Sequence, residues 1–198
     1  MRSIPEALWD EWLQCPLEGS VESDLEAAAL LLSMKEKTEG ETILLSTRRF
    51  FVFRRLHRLW NAGSWKDLGD LGSFLKVPPD LKGRPLLSGG AGLFEKALRT
   101  SREMPERNPK ARWAWLRGVW GVLGSLYLPQ TGYHLVLRME ERKSLVRETT
   151  RSLLRQSGVR FSERFRLNQT DLLIRDQGQI VSFLTGLGLF RTGLLLEE

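Results

Sequence analysis

Apolar residues cluster in segments whose spacing and length predict alternating helices and strands. Ser23 followed by Glu26 predicts a capping box at the start of the second helix. Between residues 64 and 110 glycine and proline are frequent, so any strands there should be short. The predicted helices are 4–15, 24–35, 48–60, 92–102, 110–124, 141–156 and 177–184. The predicted strands are 42–47 and 133–138, followed by a hairpin of 159–167 and 171–175.

The order of apolar helix, strand and basic helix ending in glycine occurs twice. Met34 corresponds to Leu123 at an offset of 89 residues, and Gly63 corresponds to Gly158 at an offset of 95. We therefore predict an α+β fold of two pseudo-repeated α-β-α-β-β-α units, the first of them eroded in its later strands. Residues 1–105 would hold the N-terminal helix and the first repeat, and residues 106–198 the second repeat.

Composition narrows the class of protein. The chain has 198 residues, 41% of them hydrophobic, which is enough for a buried core. Cys15 is the only cysteine, so no intramolecular disulfide can form. The longest uncharged apolar stretch, 118–128, is far shorter than the roughly 20 residues of a membrane-spanning helix. The acidic N-terminus does not resemble a secretory signal. We expect a cytoplasmic protein that does not enter the membrane.

Charge is distributed unevenly along the sequence. Residues 1–47 hold 3 basic and 10 acidic side chains, whereas residues 48–198 hold 27 basic and 14 acidic ones. Arginine accounts for 22 of the 30 basic residues, and its planar fork suits phosphate better than lysine does. This basic block indicates either a polyanionic partner or an arginine-rich surface that is simply solvated.

The second apolar helix carries a family resemblance. Its stretch Leu116–Gly124 resembles a LAGLIDADG helix, with Gly118 and Gly124 retained. Two such helices cross closely in that family, and small residues here suit a close crossing: Ala27, Ala28 and Ala29 on one helix, Gly118, Gly121 and Gly124 on the other. The run Tyr133–Leu137, together with segments starting at Leu45, Val159 and Ile180, is similar to the WhiA family of bacterial regulators. The likeness covers about residues 24–62 and 110–196.

The resemblance to WhiA implies a regulatory function and predicts that the helix-turn-helix of that family is missing here. WhiA proteins place a degenerate LAGLIDADG domain before a helix-turn-helix and are linked to sporulation and cell division. It therefore implies non-enzymatic, DNA-associated regulation of transcription. The chain ends at Glu198, about where the family's linker would begin, so we expect no helix-turn-helix here, whether the chain is a shortened piece or a short homologue.

The sequence does not favour an enzyme. The resemblance implies that a LAGLIDADG nuclease would need one carboxylate at the end of each central helix to hold divalent metal. The aligned positions here are Met34 and Leu123, neither of which binds a hard cation. The histidines, His57 and His134, and Cys15 fall on separate predicted elements, and no cofactor motif is present. We expect no catalytic residues, no metal and no cofactor.

Strand alternation separates an apolar from a basic sheet face. Along the predicted strand 159–167 one face carries the basic side chains Arg160, Arg164 and Arg166. The other face of the same strand carries the apolar side chains Val159, Phe161 and Phe165. The earlier strand contributes His134 and Arg138 to the same face, and Arg175 ends the paired strand. The predicted DNA-binding residues are thus His134, Arg138, Arg160, Arg164, Arg166 and Arg175. By contrast, Arg147, Arg151 and Arg155 at helical spacing predict a solvated outer face.

Two readings of the basic face remain open. If it meets the DNA major groove, as the resemblance implies, the expected partner is double-stranded DNA, bound weakly because no recognition helix is present. If it is a solvated face whose edge arginines deter aggregation, it has no DNA partner. The rival function is then a protein-interaction module that has kept the fold and lost DNA binding, with a regulatory protein as a possible partner.

Overall fold

The computed structural model describes residues 4–76, 85–104, 108–129 and 132–196. Within them the chain forms helices and two antiparallel four-stranded sheets, which confirms the α+β class. The helices are α1 (Ile4–Gln14), α2 (Ser20–Ser33), α3 (Val52–Ala62), α4 (Ala91–Arg102), α5 (Pro109–Leu123), α6 (Ser144–Gln156), α7 (Gln177–Gly186) and α8 (Phe190–Leu195). The strands are β1 (Lys35–Glu39), β2 (Thr42–Ser46), β3 (Leu75–Lys76), β4 (Leu86–Gly89), β5 (Gly124–Tyr127), β6 (His134–Glu140), β7 (Ser162–Arg166) and β8 (Gln169–Ile174).

The chain divides into two compact units. One unit comprises Leu17–Gly118, and the other comprises Met1–Pro16 together with Val119–Glu198. The N-terminal helix α1 therefore belongs to the unit that holds the second sheet. The domain boundary at residues 105 and 106 stays a prediction, and part of the linker expected around it lies outside the described residues.

The two sheets have the same topology. The first has the strand order β1-β2-β4-β3 and the second β5-β6-β8-β7, which confirms the pseudo-repeat. In the first sheet β3 has two residues and β4 has four, so its later strands are short. Each repeat nevertheless has one more strand than the predicted α-β-α-β-β-α order. A strand, β1 or β5, follows the central helix directly in each repeat.

The start of the second helix differs from the prediction. Helix α2 begins at Ser20, after Gly19, whose extended backbone forms the N-cap. Ser23 is thus inside the helix and buried, and the capping box predicted for Ser23 and Glu26 is wrong. The carboxylate of Glu26 accepts instead from Arg55, at 2.7 and 2.9 Å, and from Arg117, at 3.1 Å.

Gly118, Gly121 and Gly124 were expected to share a close helix crossing, but only Gly118 lies at one, and Gly124 is the first residue of β5. A Cβ on Gly118 would lie 2.5 Å from the Glu26 carbonyl oxygen and 2.7 Å from Ala29 Cβ, so α2 and α5 touch backbone to backbone there. The other two glycines contact indole rings. A Cβ on Gly121 would lie 2.2 Å from Trp12, and one on Gly124 would lie 1.9 Å from Trp120.

One face of the second sheet belongs to the core. Its inward side chains are fully or almost fully buried, and they alternate with the outward positions along β6 and β8. They are Leu135, Leu137, Met139, Leu172 and Ile174. The opposite face is buried at Val136, Asp171 and Leu173 as well, and it is exposed at Arg138. Among the described residues, no helix is both long and apolar enough to cross a bilayer.

Candidate nucleic-acid interface

The outward face of the second sheet is built by cross-strand pairing. Arg138 on β6 pairs with Asp171 on β8, and Asp171 pairs with Arg164 on β7, so these residues form one row across the sheet. The neighbouring row places Arg166 opposite Gln169. Since side chains alternate along a strand, Arg164 and Arg166 point to the same side as Arg138. Three of the predicted arginines therefore share one sheet face.

These arginines surround a buried carboxylate. Arg164 donates to Asp171 Oδ2 from Nη2 at 2.7 Å and from Nε at 3.3 Å. Arg138 Nε lies 3.8 Å from Asp171 Oδ1, and Arg166 Nε lies 3.6 Å from Oδ2. The Asp171 side chain is fully buried, whereas those of Arg138, Arg164 and Arg166 are 46%, 44% and 54% exposed. We call these four residues the Asp171 cluster; its net charge is +2.

The carboxyl of Asp171 is held in its charged form. Burial raises its pKa, but hydrogen bonds from Arg164 and Gln169, together with the positive charges of the arginines, outweigh that effect. The pKa therefore lies below its ordinary value of 3.8. At neutral pH the cluster consists of three guanidinium groups anchored on one carboxylate, with their remaining N–H donors free to reach outward.

His134 is tied to the same face through a residue that the sequence analysis missed. Its ring stacks on Tyr127, with centroids 4.8 Å apart and planes inclined by 15°. The Tyr127 hydroxyl accepts a 2.8 Å hydrogen bond from Arg138, which links the stacked pair to the Asp171 cluster. Tyr127 lies on β5, a strand that was not predicted. Its cross-strand partner is His134.

Arg160 and Arg175 lie outside the strands. β7 begins at Ser162 and β8 ends at Ile174, so both predicted contacts fall just beyond the paired residues. Both are exposed. The backbone N–H of Arg160 donates to Gln179 Oε1 at 2.7 Å, which draws this segment toward α7. The structure thus brings Arg138, Arg164 and Arg166 together, with His134 beside them, and leaves Arg160 and Arg175 outside that cluster.

The basic face also contains acidic groups. Besides Asp171, the register places Glu140 opposite Gln169, on the same side as the arginines. Glu140 accepts from Arg142 at 2.5 Å. The sequence analysis counted only the basic residues of the face and left out Asp171, although strand alternation places it on the same side as Arg175.

The arginines of α6 do not form the solvated stripe that was predicted. The side chain of Arg147 is 13% exposed and lies within 3.2 Å of Glu141 and Glu148. That of Arg151 is 15% exposed and pairs with Glu148 and Glu163. Only Arg155 of the three is exposed. Ion pairing with nearby glutamates accounts for the difference, because it allows two of these guanidinium groups to pack close to the protein surface.

The two positions that the sequence analysis aligned with metal-binding carboxylates carry apolar side chains. Met34 follows the last residue of α2 and is fully buried, and Leu123 is the last residue of α5. Each therefore stands where a central helix gives way to a strand. Within the described ranges, no group of three or more His, Cys, Asp or Glu side chains is arranged to hold a metal ion.

Comparison with known proteins places the fold. No family model matches the chain, and no curated protein matches it. A crystal structure of full-length DUF199/WhiA from Thermatoga maritima matches 97% of this chain with a TM-score of 0.70 and 21% identity. A structure of the N-terminal LAGLIDADG domain of DUF199/WhiA matches 95% with a TM-score of 0.68 and 20% identity, and 91% of that domain is covered. The chain has a WhiA-like LAGLIDADG fold.

The LAGLIDADG fold extends the comparison to homing endonucleases. The structure of I-DmoI in complex with DNA and Mn matches 84% of this chain and 97% of its own, with a TM-score of 0.57 and 15% identity. At these identities the likeness establishes the fold alone. The chain spans 64% of the length of full-length WhiA.

Proposed function

We propose that this protein is a non-catalytic, DNA-associated regulator of transcription of the WhiA type, and that the outward face of its second sheet contacts double-stranded DNA. The role in sporulation and cell division that WhiA resemblance implies is part of the proposal. The observation that carries it is the Asp171 cluster, in which three half-exposed arginines share one sheet face.

The cluster has the chemistry of a phosphate-contacting surface. A guanidinium group bonded on one side to a carboxylate retains further N–H donors, and its direction is fixed before the ligand arrives. One carboxylate leaves the cluster with a net charge of +2, and Arg160 and Arg175 are exposed just beyond the ends of β7 and β8. A protein with the same fold, I-DmoI, is known in complex with DNA, which supports this choice of ligand.

The salt dependence of binding tests the proposal. Each phosphate contact releases condensed counterions, so log K should fall against log salt with a slope of about −0.9 per contact, or about −2 to −4 in total. The affinity should lie in the non-specific range of about 10⁻⁴–10⁻⁶ M at physiological salt. Fluorescence anisotropy of a labelled duplex between about 50 and 200 mM salt measures both quantities.

Charge-matched variants assign the binding to a face. Replacing Arg138, Arg164 and Arg166 by Ala should flatten the slope by about 2 to 3. The control removes Lys35, Lys37 and Lys76, which the register places on one face of the first sheet. This triple should flatten the slope by less, because a lysine ammonium lacks the planar fork with which arginine pairs with phosphate. Equal flattening by both triples would mean diffuse charge attraction and would contradict the proposal.

A protein-interaction module is the second candidate function. It is favoured by two exposed apolar side chains at the β7–β8 hairpin, Phe165 at 70% and Leu167 at 93% exposure. Such side chains are typical of protein contacts rather than of phosphate contacts. If no duplex binding is detected at about 50 mM salt, DNA association is wrong and this candidate replaces it.

A further inference from the structure

A pocket of about 380 Å³ lies where α6 ends and the chain turns toward β7. It is separate from the Asp171 cluster and has two arginines in its wall. Its lining residues are Arg155, Gly158, Val159, Arg160, Phe161 and Glu163. All of them belong to the unit that contains the second sheet.

The two arginines of this pocket differ from the neighbouring arginines in their ion pairing. On α6 and β7, Arg147, Arg151, Arg164 and Arg166 each lie within 4.0 Å of a carboxylate. Arg155 and Arg160 are exposed, and the described residues provide no carboxylate partner for either guanidinium group. Two cations that share a pocket without a counter-ion favour an anionic ligand.

The local backbone brings these arginines to one place. Gly158 has a φ of +71°, which reverses the chain after α6 and places Arg160 five residues beyond Arg155 on the same pocket wall. The Arg155 guanidinium lies over the Phe161 ring, 5.7 Å from its centroid. On the Arg160 side of the pocket, the backbone N–H of Arg160 donates a hydrogen bond to Gln179. The Arg155 guanidinium and the Arg160 backbone are therefore held in place before any ligand binds.

The negative groups near the pocket are already engaged. The Glu163 carboxylate is paired with Arg151. The last carbonyl oxygens of α6 accept from the turn, with Ser157, Gly158 and Val159 donating to Leu153, Arg155 and Leu154 at 2.9–3.0 Å. Neither the carboxylate nor the helix end therefore neutralises Arg155 and Arg160, and the pocket keeps a net positive charge.

We propose that this pocket binds a single phosphate group, held between the guanidinium groups of Arg155 and Arg160. A guanidinium fork pairs with two oxygens at once, and a phosphate group has enough oxygens to engage two forks, whereas a carboxylate has only two. The volume exceeds that of a bare phosphate, so the group would be carried on a larger molecule, either a DNA backbone or a small phosphate ester.

Titration with inorganic phosphate tests the pocket without reference to the proposed DNA contact. At constant ionic strength, the amide resonances of Gly158–Phe161 should shift and saturate in the millimolar range. Replacing Arg155 or Arg160 by Ala should weaken binding about tenfold, because each removes a charge-assisted contact. The double variant should show no saturable shift.

A control with the same loss of charge makes the titration decisive. Arg142 and Arg191 are both exposed, and neither lines this pocket. The variant that replaces both by Ala should bind phosphate like the unaltered protein. If it loses as much affinity as the pocket variant, or if the pocket variant still saturates normally, the proposal is wrong.

Titrating the same variants with duplex DNA shows whether the bound phosphate belongs to DNA or to a small phosphate ester. If Arg155 and Arg160 contact the DNA backbone, their joint replacement should flatten the salt slope by about 2. If phosphate binding is lost while the slope is unchanged, the phosphate belongs to a small ester. Either result supports the pocket. Because the first titration contains no DNA, the pocket can be upheld even if the sheet face proves not to bind DNA.

Discussion

At the scale of single residues, two buried carboxylates organise the arginines of this chain in opposite ways. Glu26 is bonded to Arg55 and Arg117, whose side chains are 0% and 5% exposed. Asp171 is equally buried, but its arginines stay about half exposed. The arginines around Glu26 are closed to solvent, whereas those around Asp171 are accessible to a ligand from solvent. This difference in exposure is why the proposed DNA contact is placed at Asp171 and not at Glu26.

The charge of Asp171 should appear in the pH dependence of stability. Because its pKa is lowered in the folded protein, its contribution is fully present above about pH 4. That contribution is lost as the pH falls through the folded-state pKa. Asp171→Asn should lower the free energy of unfolding by about 1–3 kcal/mol at pH 7, since it removes a charged acceptor of several hydrogen bonds. Urea denaturation at several pH values measures the difference.

Glu140→Gln provides the matched control on the same face. Glu140 is 43% exposed and pairs with the exposed Arg142, so this change should cost less than about 1 kcal/mol. The gap between Asp171→Asn and the unaltered protein should narrow below pH 4. A gap that stays constant down to pH 2 would show that the ionised carboxylate is not what Asp171 contributes.

At the scale of elements, the sequence predicted those with a strong apolar pattern. Helices α1, α4 and α5 lie within a residue of their predicted bounds, because each carries a clear run of core side chains. β1 was missed because its residues Lys-Glu-Lys-Thr-Glu form an exposed edge strand without apolar alternation. β5 was missed because it begins at Gly124 with no break after α5.

The same limits apply to the candidate site. Strand alternation was sufficient to place Arg138, Arg164 and Arg166 on one face, because the alternate positions of β6 are apolar and Arg164 and Arg166 are two residues apart on β7. It could not find Tyr127, which lies on the missed β5, nor the partnership between Asp171 and the arginines, which depends on register across three strands. Register is a tertiary property, set by packing and turn geometry rather than by local sequence.

The crossing of α2 and α5 should be sensitive to one added methyl group. In Gly118→Ala the new Cβ would meet the Glu26 carbonyl oxygen at 2.5 Å, and that backbone atom cannot rotate away. We expect a loss of about 1–3 kcal/mol, and more for Gly118→Leu. This loss would exceed the gain of up to about 1 kcal/mol that alanine brings to a helix. The midpoints of urea denaturation measure the net change in stability.

Gly92→Ala is the control within another helix. A Cβ at Gly92 of α4 would have no atom within 4 Å, so only the helix preference remains and the variant should be neutral or slightly stabilised. If Gly118→Ala behaves like Gly92→Ala, the close helix crossing is not present in solution.

At the scale of the whole molecule, two repeats of one topology have acquired different surface chemistry. The outward face of the first sheet carries lysines, with Lys37 already paired to Glu39. That of the second carries the Asp171 cluster. The topology is common to both because backbone pairing and apolar core positions define it, whereas outward positions can change without loss of the fold. The function is therefore expected to reside mainly in one repeat.

Catalysis, in contrast, would require both repeats. The resemblance implies that a LAGLIDADG nuclease would need one metal-binding carboxylate at the end of each central helix, and at those ends this chain has Met34 and Leu123. Without paired carboxylates, a divalent ion lacks the oxygen ligands it needs to bridge the attacking and leaving oxygens. We therefore expect no nicking of supercoiled plasmid in Mg²⁺ or Mn²⁺ above the level seen in EDTA.

A trace of cleavage would need to be assigned before it counted against this prediction. Glu36 and Glu39 on β1 are the acidic residues nearest in sequence to the first helix end. A Glu36→Ala, Glu39→Ala variant should leave a contaminating nuclease unaffected but abolish cleavage that uses this chain's own carboxylates. EDTA-sensitive nicking that persists through successive purification steps and disappears in the variant would show that the protein is an enzyme. Nicking that is equal in both preparations would not depend on Glu36 or Glu39.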